Sequence, residues 1–196
     1  MALCAAFLVS AGCTCGELCR ASDRIASSVV RLHVVADSDD PQAQAVKLKV
    51  RDAVLKKAEN LLDCPVNRTE ACAIIENNKD TFADAACRVL CENGADYGAA
   101  VSLETAFFPT RHYGGLTLPA GRYRALSVRL GKGRGQNFWC VLFPSLCLGG
   151  AEALSAVKED LPAGDYALCA GDGRYAVKFK ALELLEQLRE RKSKND

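Results

Sequence analysis

Residues Ser28–Val35 alternate. Val30, Leu32 and Val34 fall on one side of an extended chain, and Arg31 and His33 on the other. A period of two marks a strand with two unlike faces. Asp37-Ser38-Asp39-Asp40-Pro41 follows and predicts a loop closing on Asp40 as a helix N-cap. Pro41 then takes the first helical position, where its missing N–H is no loss. The helix is expected to reach about Leu62. Val46, Val50, Ala53, Val54 and Leu61 form its inner stripe, and Leu48, Leu55 and Leu62 recur on another side, so two of its faces are expected to be covered. Cys64-Pro65 stops it. A second helical region over Thr69–Glu92, broken near Asn77-Asn78, ends on the helix-stop pair Asn93-Gly94.

Two more alternating segments come next, Ala99–Phe107 and Arg122–Leu130. Pro109–Gly121 between them reads as a long turn, and Gly131–Asn137 as a tight, basic hairpin turn. Phe138–Phe143 is apolar throughout, which predicts a central strand covered on both faces and ended by Pro144. Ala151–Glu159 suggests a short helix, Leu161–Asp172 a loop, and Tyr175–Arg191 a stretch ending in a helix with Leu182, Leu185 and Leu188 on one side. The order β-α-α-β-β-β-α predicts an α+β fold, a largely antiparallel sheet with helices packed on one face.

The first eleven residues, MALCAAFLVSA, are apolar and uncharged. That length suits the apolar core of a signal peptide and falls short of a membrane span. The expected organisation is a signal peptide and N-terminal segment over 1–24, one globular domain over 25–192 and a polar tail over 193–196. A net charge of +1 gives no global field toward nucleic acid, and no nucleic-acid partner is expected. The eleven cysteines include no C-x-x-C pair, and the only histidines are His33 and His112, so no metal site or cofactor is expected.

Gly131, Gly133 and Gly135 invite a phosphate-loop reading. That chemistry needs a helix N-terminus after the glycines, where free N–H groups and the dipole meet the anion. A strand follows instead, so a turn that supplies positive φ and offers a contact surface fits better. Cys140 and His33, with Asp37 orienting the imidazole, suggest a thiolate–imidazole pair and hence a hydrolase. An apolar strand raises a thiol pKa, however, and favours a buried, inert Cys140. Cys140 and Cys147 flank Pro144; the spacing is open to a disulfide and equally to two buried thiols. Lys47, Lys49, Arg51, Lys56 and Lys57 make the first helix basic, and a solvated face is the plain expectation.

Three blocks carry a resemblance: RLHVVADSDDPQAQAVKLKVRDAV (Arg31–Val54), FPTRHYGGLTLPAGRYRALSVRL (Phe108–Leu130) and GKGRGQNFWCVLFPSLC (Gly131–Cys147). In this order and spacing the chain resembles the stage II sporulation protein R family of endospore-forming bacteria. Asp37 stands where that family usually carries Asn, Asp40 where it carries Ser, and Phe138 where an aromatic pair precedes the Cys. The resemblance implies a protein made in the forespore and exported into the space between the two membranes. There it would trigger a membrane-embedded aspartic protease of the mother cell, which cleaves the precursor of sigma factor E. Such a protein has no catalytic residues. A partner surface is expected where the Asp37 loop meets the Gly131 turn, drawing on Arg31, His33, Asp37, Ser38, Asp39, Lys132, Arg134, Gln136, Asn137 and Trp139. A domain that binds the spore envelope is a further reading.

Overall fold

Val30–Val35 forms strand β1, with only His33 less than fully buried. In the computed structural model, which describes residues 16–17, 19–63, 67–113, 115–144, 158 and 161–170, β1 is preceded by a helix over 19–28, termed α1. Ala21, Ser22 and Ile25 on α1 are buried, so residues ahead of position 25 already pack into the body.

Helix α2, Pro41–Leu61, starts as its sequence dictates. Asp40 caps it by accepting the Gln42 N–H, and Pro41 opens the first turn. Ala43, Val46, Lys47, Val50, Val54 and Ala58 face the core; Leu55, Leu61 and Leu62 are half-buried against it, and Leu48 is exposed. Helices α3 (Arg68–Asn77) and α4 (Lys79–Glu92) are separated at Asn78, whose side-chain amide donates to the Ile74 carbonyl. Asn67 caps α3 through the Glu70 N–H. Gly94, with φ at +67°, ends α4 in the left-handed conformation that lets Ala95 N–H reach the Leu90 carbonyl.

Strands β2 (Ala99–Phe108), β5 (Gly121–Leu130) and β6 (Asn137–Phe143) join β1 in a four-stranded sheet of order β2-β5-β1-β6. The β2–β5 and β1–β6 pairs are antiparallel, but the interior pair β1–β5 is parallel, with Leu32 opposite Leu126. The fold is α+β as expected, and the sheet is mixed rather than largely antiparallel. Two further expectations are corrected. Gly131–Gln136 is no hairpin turn, because β1 lies between the strands it joins. And β6 borders the described sheet instead of lying inside it; its residues are apolar because both faces of the sheet are covered.

One face meets α2, α3 and α4 across a core that includes Leu32, Val50, Ile75, Phe82, Leu126 and Leu142. The other face holds a second core of Ile25, Phe108, Leu116, Leu118, Tyr123 and Val141. That core is closed by α1, by the hairpin of β3 (Arg111–Tyr113) and β4 (Leu116–Leu118), and by helix α5 (Ala163–Ala170). Cover on both faces departs from the one-sided expectation. The hairpin also replaces the expected long turn, and α5 the expected loop. Arg24 of α1 grips Asp165 of α5 with two hydrogen bonds, Nε to Oδ2 at 2.7 Å and Nη2 to Oδ1 at 2.6 Å. The expected leader, the Ala151–Glu159 helix apart from Lys158, the C-terminal helix and the tail lie outside the described residues. No helix among the described residues is long and apolar enough to cross a membrane.

Candidate functional site

Because β1 and β5 are parallel, both deliver their C-terminal ends to one edge of the sheet. There the chain leaving β1 enters the Asp37 loop, and the chain leaving β5 must pass over it to start β6. The two segments are bonded to each other along this crossing. Arg134 N–H donates to the Asp37 carbonyl at 3.1 Å, and Gly135 N–H to the Ala36 carbonyl at 3.0 Å. The Asp37 carboxylate accepts the Lys132 N–H at 2.7 Å.

The glycines fit this crossing for separate reasons. Gly131 has φ at +52°, and a Cβ there would stand 2.2 Å from the Asp37 carboxylate. At Gly135 the reason is contact alone: a Cβ would lie 2.1 Å from the Ser38 carbonyl oxygen. The expected positive φ is present at Gly131 and Gly133, within a bridge rather than a hairpin.

Lys47 was expected on a solvated face and is instead buried. Its ammonium donates to the Gln44 amide oxygen at 2.6 Å and to the Gln136 carbonyl at 3.1 Å. Gln44 in turn donates to the Ser38 carbonyl at 2.7 Å. Helix α2 thus holds both segments from below. Burial lowers the Lys47 pKa, with Asp39 opposing and Arg51 adding to the shift. The signal for Lys47 is in the sequence: Ala43, Lys47, Val50 and Val54 share one helical stripe.

Above this frame Asp39, Asp40, Lys132, Arg134, Gln136 and Asn137 are exposed side by side, a rim of both charge signs. Asp37 and Ser38 are half-buried and act on the backbone. The structure therefore brings together the Asp37–Asp39 and Lys132–Asn137 members of the predicted surface.

The remaining three, Arg31, His33 and Trp139, lie on the sheet face away from α2. His33 stacks on Trp139 at a centroid distance of 3.8 Å and an interplanar angle of 10°. Its Nε2 pairs with the Asn137 Oδ1 at 2.7 Å, while its buried Nδ1 has no hydrogen-bond partner among the described residues. Burial lowers the His33 pKa; the Asn137 bond and Glu104 act against it, and Arg129 acts with it.

Arg31 is fully buried, so it offers no surface to a partner, and that expectation is corrected. Phe108, Tyr123 and Tyr113 surround its guanidinium, with ring centroids 4.2, 4.8 and 5.6 Å from Cζ. Nη2 donates to the Tyr113 hydroxyl, and among the described residues Nε and Nη1 have no acceptor at hydrogen-bond distance. Desolvation lowers its pKa, and Tyr113 and Tyr123 offset part of that. A desolvated cation–π contact is worth about 2 kcal/mol, against a burial cost of several kcal/mol per ion. The aromatic wall was missed in the sequence because Tyr113 sits in the stretch read as a turn and because the pairing that sets β5, with Tyr123, beside β1 is not written in either segment.

The thiolate–imidazole pair does not form. Cys140 is opposite Leu32 and Trp139 opposite His33, so Cys140 points into the helix-side core and His33 to the other face. Cys140 is also disulfide-bonded, which removes the thiolate; its expected partner Cys147 lies outside the described residues. Among the described residues no group of three or more His, Cys, Asp or Glu side chains is placed to hold a metal.

The family model described as stage II sporulation protein R matches residues 26–153. Stage II sporulation protein R of Bacillus subtilis (strain 168) is 36% identical over 135 residues, which is 69% of this chain and 60% of that relative. The chain thus spans less than two thirds of the curated relative's length. No solved structure matches.

Proposed function

Since the chain belongs to the stage II sporulation protein R family, we propose that it is an exported signalling protein of endospore formation. It leaves the forespore for the intermembrane space and activates a membrane-embedded aspartic protease of the mother cell, which then cleaves pro-sigma-E. It contributes a docking surface to that event and no catalytic step.

The supporting observation is the crossing at the sheet edge. Two segments that carry the family resemblance are bonded together and fixed from below by Lys47. Their exposed side chains form one rim, with Lys132 and Arg134 beside Asp39 and Asp40. A rim of this kind governs encounter with a partner and its salt dependence more than final affinity.

The test is co-expression of the protease, pro-sigma-E and this chain in a host that does not sporulate. Cleavage should require the chain. Lys132→Glu together with Arg134→Glu should slow it while leaving the melting temperature unchanged, since both side chains are exposed. Cleavage that proceeds equally without the chain would overturn the proposal.

A further inference from the structure

A buried charge is ordinarily paired, because desolvation without a partner is costly. Arg31 is not paired. Its exposure is 0%, and the ionisable groups acting on it are Tyr113, Tyr123 and a second cation, Arg111; no described carboxylate is among them. Arginine cannot shed its proton to relieve this. The four buried side-chain nitrogens without partners among the described residues are Arg31 Nε, Arg31 Nη1, His33 Nδ1 and Arg68 Nε. Three of them therefore stand on one face of β1, around the Phe108 ring.

We propose that Arg31 anchors a carboxylate-binding site walled by Phe108, Tyr113 and Tyr123 and closed by the β3–β4 hairpin. The free Nε–H and Nη1–H donors supply charge-assisted hydrogen bonds to the carboxylate oxygens. One guanidinium between aromatic walls matches one negative charge. A phosphate, with about 1.5 to 2 charges near neutral pH, would leave part of its charge buried without a counter-ion. Of the elements that close this core, the hairpin is the one that lifts to admit the carboxylate. Its ladder has three residue pairs, and it is seated by Leu116, Leu118 and the Tyr113 hydroxyl. So short a ribbon has little stability of its own, and it can leave while the four-stranded sheet persists. The site is distinct from the loop rim and does not depend on the activator role.

The experiment uses the purified full chain in sodium acetate and in sodium chloride of equal ionic strength. Two readouts are followed, the melting temperature and the Arg31 Nε–Hε resonance in a 1H–15N spectrum. Acetate should shift that resonance and raise the melting temperature, and both effects should be lost in Arg31→Met. The resonance is read in the unmodified chain, so the test survives if Arg31→Met does not fold. Two blocked tripeptides, Gly-Glu-Gly and Gly-Gln-Gly, separate the sources. A response to the Glu peptide alone of the two assigns the site to an acidic peptide, and a response to acetate with neither peptide assigns it to a free small carboxylate. Identical behaviour in acetate and chloride in both readouts would overturn the proposal.

Discussion

Replacing Gly135 with alanine tests whether the crossing over β1 is as close as described. The added methyl would lie 2.1 Å from the Ser38 carbonyl oxygen, 2.5 Å from its carbon and 2.9 Å from the Ala36 Cβ. None of these atoms can rotate away, since two are backbone and the third is fixed to a buried residue that continues β1. The bridge must lift, which breaks the Gly135–Ala36 and Arg134–Asp37 hydrogen bonds. Each bond contributes about 1 kcal/mol, and forcing a methyl into a packed site costs about 1–3 kcal/mol. Against this, alanine stabilises by about 0.4–1 kcal/mol through the unfolded chain. The net expectation is a loss of about 2–5 kcal/mol, read as a lower denaturant midpoint at unchanged slope. Gly133→Ala is the control. Its methyl's nearest neighbours are side-chain atoms of exposed Arg129, which can change rotamer, so the positive φ dominates the cost, about 1–2 kcal/mol. If Gly135→Ala is no less stable than Gly133→Ala, the close approach inferred at the crossing is wrong.

Three further outcomes follow from the same geometry. Lys47→Met should cost about 1–3 kcal/mol by stranding the Gln44 and Gln136 oxygens, and the Gln136 segment should gain amide exchange; unchanged exchange there would contradict the anchoring role. Burial lowers the His33 pKa, so the unfolded chain takes up its proton first as pH falls. Stability should therefore drop as pH falls below about 6.5 and level off under the folded-state value, a step that His33→Gln removes; superimposable profiles would count against it. In a double-mutant cycle, Arg24→Ala and Asp165→Asn should be coupled, because Asp165 is buried and both bonds join one pair; additive effects would show that α1 and α5 are not clamped there.

What could be read from the sequence was what the chain encodes locally. The period of two gave β1, β2 and β5, the Asp40-Pro41 pair gave the start of α2, and Asn78 and Gly94 gave the break and end of the helices. Sheet order was not legible, because the pairing of Val30 with Arg124 leaves no mark in either segment. That gap produced the mistaken hairpin at Gly131 and the mistaken centre at β6. The β3–β4 hairpin and α5 were obscured by Gly114, Gly115, Pro162 and Gly164, which punctuate short elements as readily as loops. Of the candidate site, the two facing loops were found by polarity. Arg31 was expected at a partner surface; Phe108 of β2, Tyr123 of β5 and Tyr113 of the hairpin together bury it, a juxtaposition set by the sheet order.

The parallel pair at the centre of the sheet also sets an order of events. A ribosome makes β1 early, yet its neighbours are β5 and β6, which it meets only when Arg124–Arg129 and Asn137–Phe143 have been added. Until then Val30–Val35 has no sheet partner, and closing so long a loop is slow. A nascent chain that stops short of Phe143 leaves an apolar strand with an open edge, the form most prone to pairing with another molecule. Completion of the four-stranded sheet therefore waits for β6. A truncation series should show protease resistance arriving in one step as β6 is included, rather than growing helix by helix.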